Sequence, residues 1–284
     1  MRQRRNWLLF LIVVLTWGSN WSALKSGLSY VDPVNFLLHR FMLSTLALFP
    51  LAVTSWQKIP RDGETWGKLV LMGMVGASGQ LLTYMGLVHE KSGISAVLTY
   101  TQPLFVFCMA VAFLKEGAGT NRLLGILVGF SGVVVLSFKG ADILAGIKYS
   151  FVLLILGAVL WAVSIVFYKK FLLHVDAVVT SVTQLGVGAL MLSAPAAFRG
   201  FYFPFAVNYL LIILFVAIGA SSLALTVWIF LLRGEEATVL SSSSFIIPMA
   251  ALILGWLLLG ESVEPRSLAG AALIVVGVYL VNRV

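Results

Sequence analysis

Residues 16–33 read TWGSNWSALKSGLSYVDP, and residues 160–177 read LWAVSIVFYKKFLLHVDA. At an offset of 144 positions Trp17 meets Trp161, Lys25 meets Lys169, and Val31-Asp32 meets Val175-Asp176. The register continues outward. Gly76-Ala77-Ser78 matches Gly219-Ala220-Ser221 at 143, and at 145 Glu90 matches Glu235, Pro103 matches Pro248, Glu116 matches Glu261, Gly125 matches Gly270 and Gly132 matches Gly277. Matches in constant order along the whole chain identify an internal duplication, with residues 1–144 as one copy and 145–284 as the other, both within one membrane domain.

Each copy is too apolar for water. Of 284 residues 60% are hydrophobic and 11% charged, with a mean hydropathy of +1.02, whereas soluble domains carry about 25% charged residues to solvate their surfaces. Runs of about 20 apolar residues, the length that crosses roughly 30 Å of hydrocarbon as a helix, occur ten times. Five fall in the first copy: Trp7 to Leu24, Val34 to Val53, Gly67 to Leu87, Gly93 to Leu114 and Arg122 to Phe138. Five fall in the second: Ser150 to Tyr168, Ala177 to Phe198, Asn208 to Leu231, Ala237 to Leu259 and Ser267 to Asn282. The expected fold is therefore an all-α integral membrane protein of ten transmembrane helices. Because five is odd, the second copy starts from the opposite side of the membrane, so the repeats are inverted. The basic segment Met1 to Arg5 before the first run resembles a signal peptide, but nine further runs make it an uncleaved first helix.

The net charge of +8 reflects topology. Its Lys and Arg lie scattered in short loops, with no basic stripe for nucleic acid. Assigned to alternate sides, twelve of them fall on the side of the N-terminus and six on the other, with Arg40 inside a run. The positive-inside rule then places both termini in the cytoplasm, in a cell membrane. Cys108 is the single cysteine, so no intrachain disulfide or cysteine metal cluster is expected, nor any metal or cofactor.

TWGSNW in the first run, the Asp32-Pro33 loop followed by Arg40, the segment from Pro103 to the LKE triplet ending at Glu116, and its copy from Pro248 to the LGE triplet ending at Glu261 resemble the EamA family of the drug/metabolite transporter superfamily. The resemblance covers essentially the whole chain as two units. It implies a ten-helix fold with a pseudo-twofold axis and export or exchange of small metabolites. It also implies a cavity lined by the first, third, fourth, sixth, eighth and ninth helices, with the fifth and tenth packed together.

Particular residues suggest how a substrate is held. Trp17, Asn20, Trp21 and Lys25 share one helical face, and Trp17 lies about 15 Å along the helix from Trp7, far from the interface where Trp belts normally sit. Trp161, Ser164, Tyr168 and Lys169 repeat this face. Pro103 and Pro248 each remove a helical donor, opposite the carbonyls of Thr99 and Ser244, and irregular backbone at membrane depth belongs next to protein or a wet cavity. Around them cluster Thr99, Tyr100, Thr101 and Gln102 in one copy and Ser241 to Ser244 in the other. Gln80, Thr83 and Tyr84, with Ser221, Ser222 and Trp228, are further candidates. Substrate contacts are thus expected from Trp17, Asn20, Trp21, Gln80, Tyr84, Thr99, Tyr100, Trp161, Ser164, Tyr168, Ser241 and Ser244. Hinge or gate roles are expected for Pro103, Pro248, Lys25, Arg40, Glu116 and Glu261. Arg40 is read either as an anchor for a substrate carboxylate, as a partner of Asp32, or as a side chain snorkelling to the interface. The glycines of the fifth and tenth runs are read as packing.

These features point to a secondary transporter of a small polar metabolite such as an amino acid, working in the bilayer as a monomer or homodimer. Inverted repeats recur in such carriers because the halves can exchange conformations. None of the eleven acidic residues lies in the middle of a run, which argues against a central carboxylate proton relay. The alternatives are an intramembrane enzyme and a receptor or scaffold. The first lacks HExxH, GxSxG and a buried acidic pair, and the second has no need of an inverted duplication.

Overall fold

In hydrocarbon every backbone N–H and C=O must be satisfied within the segment, so long apolar runs become helices. The computed structural model describes residues 2–90, 92–137, 148–259 and 265–283, and all regular structure among them is helical. The first repeat contains α1 (Arg2–Gly27), α2 (Pro33–Thr54) and α3 (Gly63–His89). It continues with α4 (Ser92–Thr99), α5 (Gln102–Met109), a π-helical turn (Ala110–Leu114) and α6 (Thr120–Ser137). The second contains α7 (Tyr149–Phe167) with a π-helical extension (Tyr168–Leu172), then α8 (Ala177–Arg199). Next come α9 (Val207–Leu214), a π-helical segment (Phe215–Leu223) and α10 (Ala224–Leu232), followed by α11 (Ala237–Ser243), α12 (Ile246–Leu259) and α13 (Pro265–Asn282).

Seven helical runs among the described residues are long and apolar enough to cross a membrane. The expected fifth, ninth and tenth spans correspond to the shorter apolar helices Thr120–Val135, Ala237–Ala251 and Leu268–Asn282. Helix starts follow from local chemistry. Asp32 accepts from the backbone N–H of Val34 at 3.0 Å and opens α2, and Asp176 accepts from that of Val178 at 3.0 Å and opens α8. Asp32 is thereby committed to its own helix.

Burial runs in the sense expected of lipid solvent. Leu190 and Phe198 are 76% and 92% exposed, while Ser44, Gln102 and Ser241 are 0% exposed. Large apolar side chains cover much of the outer surface, and the interior holds polar side chains among its apolar core.

The repeats interlock and do not pack as two bodies. Contacts of α3 with α7 and α8, of α2 with α8, and of α1 with α10 and α12 are all between repeats, and they exceed those of α2 with α3 within one. The most extensive pair is α6 with α13. Its closeness needs glycine: a Cβ on Gly125 would lie 2.7 Å from the Gly277 carbonyl oxygen, and one on Gly132 would lie 2.6 Å from that of Gly270.

Two lysines close helix ends in the same manner. Lys25 Nζ donates to the carbonyls of Leu87 (2.7 Å), Val88 (3.0 Å) and Glu90 (2.8 Å), just where α3 ends. Lys169 Nζ donates to those of Leu232 (2.9 Å) and Glu235 (2.7 Å), where α10 ends. A cation here satisfies carbonyls that the helix itself cannot and complements the negative end of its dipole. Lys25 therefore caps a helix and is absent from the cavity wall that its neighbours on α1 form.

Candidate functional site

Between the repeats lies a cavity that opens to the outside, with about 870 Å³ of space free of protein atoms when its open mouth is included. From α1 it receives Trp17, Asn20, Trp21 and Leu24, spaced so that one helical face turns toward it. From α2 comes Arg40, and from α3 come Gln80, Thr83 and Tyr84, beside Gly76 and Gly79. Thr99 and Tyr100 enter from the break after α4. The second repeat supplies Gly157 and Trp161 from α7, Gln184 and Leu185 from α8, and Ala220, Ser221 and Leu225 from the π segment and α10.

Two indoles, Trp17 and Trp161, line it. Trp17 meets Trp161 edge to face, with centroids 5.4 Å apart and planes at 73°, and the buried Trp228 packs against Trp17 with centroids 5.2 Å apart and planes tilted by 41°. Trp17 is also held by its ring nitrogen, which donates to the Ala220 carbonyl at 2.9 Å. That carbonyl belongs to the π segment, whose wider turn breaks the usual hydrogen-bond ladder. Other polar groups gather on the same segment. Ser44 Oγ lies 2.9 Å from the Ala217 carbonyl, and Ser221 Oγ donates to that of Val216 at 3.0 Å.

Arg40 is only 7% exposed. Its Nε donates to Ser221 Oγ and its Nη1 to Tyr84 Oη. Both partners are neutral, and among the described residues no carboxylate pairs with it. Neither pairing with Asp32 nor snorkelling to the interface describes this side chain.

Eight of the twelve expected substrate contacts come together in the cavity: Trp17, Asn20, Trp21, Gln80, Tyr84, Thr99, Tyr100 and Trp161. Four do not. Ser164 (4% exposed) on α7 and Tyr168 (0%) on its π-helical extension follow Trp161 but do not line the cavity and are packed in protein. Ser241 and Ser244 are fully buried at the break between α11 and α12. There Ser244 Oγ donates to the Ser241 carbonyl at 2.6 Å, and Gln102 Nε2 reaches Ser241 Oγ at 3.5 Å across the repeats. The described side chains of the ninth run thus form a joint and no part of the wall, whereas Arg40 on the second run and Gln184 on the seventh do line the cavity. Gln184 was not anticipated, although it stands 144 positions after Arg40 in the same register that pairs Asp32 with Asp176.

The hinge residues occupy mixed positions. Pro103 sits in the first turn of α5 and Pro248 in the first turn of α12, each just after an interruption. The Ser244 carbonyl is not left free, since the Ile247 N–H donates to it at 2.9 Å. Glu116 reaches across the repeats, its two oxygens accepting from the N–H groups of Ala237 (2.7 Å) and Thr238 (3.1 Å) at the start of α11. Glu261 lies outside the described residues.

A duplicated helical chain with seven membrane-length apolar helices among the described residues and a cavity between its copies belongs to the class of multi-pass membrane proteins. The profile of the EamA-like transporter family matches residues 5–138 and again 148–283, and the chain belongs to that family. It is 28% identical over 282 residues to the uncharacterized transporter YvbV of Bacillus subtilis (strain 168), covering 98% of this chain and 92% of the relative. It is 25% identical over 287 residues to the uncharacterized inner membrane transporter YedA of Escherichia coli (strain K12), covering 96% and 89%. Over 288 residues it is 26% identical to the WAT1-related protein At3g02690, chloroplastic, of Arabidopsis thaliana, covering 97% and 69%. A protein crystal structure with 17% identity superposes with a TM-score of 0.80 over 99% of this chain and 97% of the other, a likeness of fold.

Proposed function

We propose that this transporter carries a small polar metabolite by alternating access, with ten spans arranged as two inverted five-helix repeats and both termini in the cytoplasm. The observation that carries this reading is an asymmetry between equivalent faces. In the first repeat Trp17, Asn20, Trp21 and Leu24 of α1 line the cavity, but of the matching stretch in the second repeat only Gly157 and Trp161 do, and Ser164 and Tyr168 do not. Likewise Thr99 and Tyr100 line the cavity, while Ser244 and Phe245, their counterparts 145 positions on, do not. When inverted repeats exchange conformations, the open face in one becomes the open face in the other. The buried set Ser164, Tyr168, Ser241 and Ser244 then becomes the wall of the cavity's opposite state, with Pro103 and Pro248 beside the joints that bend.

Carrier function predicts counterflow: proteoliposomes preloaded with substrate take up labelled solute, and Trp17→Ala or Tyr100→Ala abolishes uptake. The two-state geometry has its own test. Cysteines replacing Leu24 and Tyr168, in a Cys108→Ser background, should react with membrane-impermeant maleimides from opposite sides of the membrane. Labelling of both from one side would refute the inversion.

A further inference from the structure

Resting on the transport reading above, we propose that the cavity is an anion site, and that its cargo is a small organic acid whose carboxylate is received by Arg40 while its apolar body lies against the indoles. Arg40 is the sole formal charge among the described residues that line the cavity. Removing a guanidinium from water without a counter-charge costs several kcal/mol, and Arg does not escape by losing its proton. Charged groups at membrane depth normally pair or face a wet functional space. The protein supplies two neutral oxygens, Ser221 Oγ and Tyr84 Oη, to Nε and Nη1. Among the described residues Nη2 has no hydrogen-bond partner, and Arg40 is part of the cavity wall. The two hydroxyls hold the planar fork in place and leave donors free, the arrangement that suits a carboxylate.

The scaffold does not demand this charge. The equivalent position of the second repeat holds Gln184, which reaches the same cavity without one. A cation at one of two equivalent sites is a feature of selectivity. Organic cations would meet an uncompensated positive charge and be excluded.

The test compares four probes of one shape against the full-length protein: 3-phenyllactate, phenylalanine, 3-phenyllactamide and phenethylammonium. Binding is read by thermal shift in detergent and transport by counterflow in liposomes. At least one carboxylate should bind and drive counterflow, with the neutral amide and the cation about tenfold weaker or silent, as expected for loss of a charge-assisted pair. Arg40→Gln, which copies the second repeat, should remove the preference for carboxylate, and Tyr84→Phe should weaken it while retaining the charge. If Arg40→Gln does not fold, Arg40→Lys and Tyr84→Phe carry the test. Carboxylate binding unaffected by these variants, a preference for the cation, or no binding of either acid overturns the proposal. Counterflow of a neutral solute with no carboxylate preference would remove the anion site and leave the transport reading intact. Binding of a carboxylate dependent on Arg40, with no counterflow of any solute, would do the reverse.

Discussion

Arg40 and Gln184 stand at equivalent positions of the two repeats and face one cavity, the first with a charge held by Ser221 and Tyr84, the second with a buried amide oxygen that has no donor. A buried acceptor left unpaired costs about 1–3 kcal/mol. Gln184→Met fills the same volume without the polar atom. It should raise the midpoint of thermal unfolding and weaken substrate binding, and a variant that changes neither would place Gln184 outside the site.

The two lysine caps make matched predictions. Lys25→Met and Lys169→Met each leave two or three helix-terminal carbonyls without a donor, so each should lower stability by about 1–3 kcal/mol. Amide exchange should rise over the last turns of α3 and α10 respectively. Arginine at either position should recover part of the loss.

Glu116 ties the end of the fourth run to the start of α11, and the Arg122–Glu236 ion pair, 2.6 Å apart, lies beside it. Glu116→Ala removes both acceptors and should cost about 1–2 kcal/mol, as loss of a helix cap does. Glu116→Gln keeps one acceptor and should cost less. Hydrogen exchange at Ala237 and Thr238 reports the change directly.

Packing of α6 on α13 is tested by adding one carbon. Gly125→Ala brings a methyl to 2.7 Å from the Gly277 carbonyl oxygen, so the helices must separate and stability should fall by about 1–3 kcal/mol. At Gly67 a Cβ meets nothing within 4 Å. Gly67→Ala in the same chain should be neutral or stabilising by about 0.5–1 kcal/mol.

Much of this arrangement is readable from residue order, because lipid makes the rules simple. Apolar runs locate the helices, and the spacing of Trp17, Asn20 and Trp21 places three cavity residues on one face. What escapes depends on partners far away in the chain. Lys25 shares the polar face of Trp17, but only the position of the end of α3 turns it into a cap. The π segment Phe215–Leu223 carries no pattern that separates it from ordinary helix, yet it presents the Ala220 carbonyl to Trp17. Ser164 and Tyr168 have the right spacing and the wrong depth: the face is shared, but the cavity stops at Trp161. Periodicity assigns faces and is silent about where along a face the open space ends.

The glycine contacts of α6 and α13 follow a crossed rule. Gly125 of the first repeat meets Gly277, the counterpart of Gly132, and Gly132 meets Gly270, the counterpart of Gly125. Such reciprocity is the mark of an isologous interface. It is the contact that two identical half-length chains would form on their own, each offering the same glycine ridge to the other. The seam within this single polypeptide therefore has the form of a homodimer interface, and the asymmetry of Arg40 and Gln184 is a specialisation that becomes available once the two halves are encoded separately.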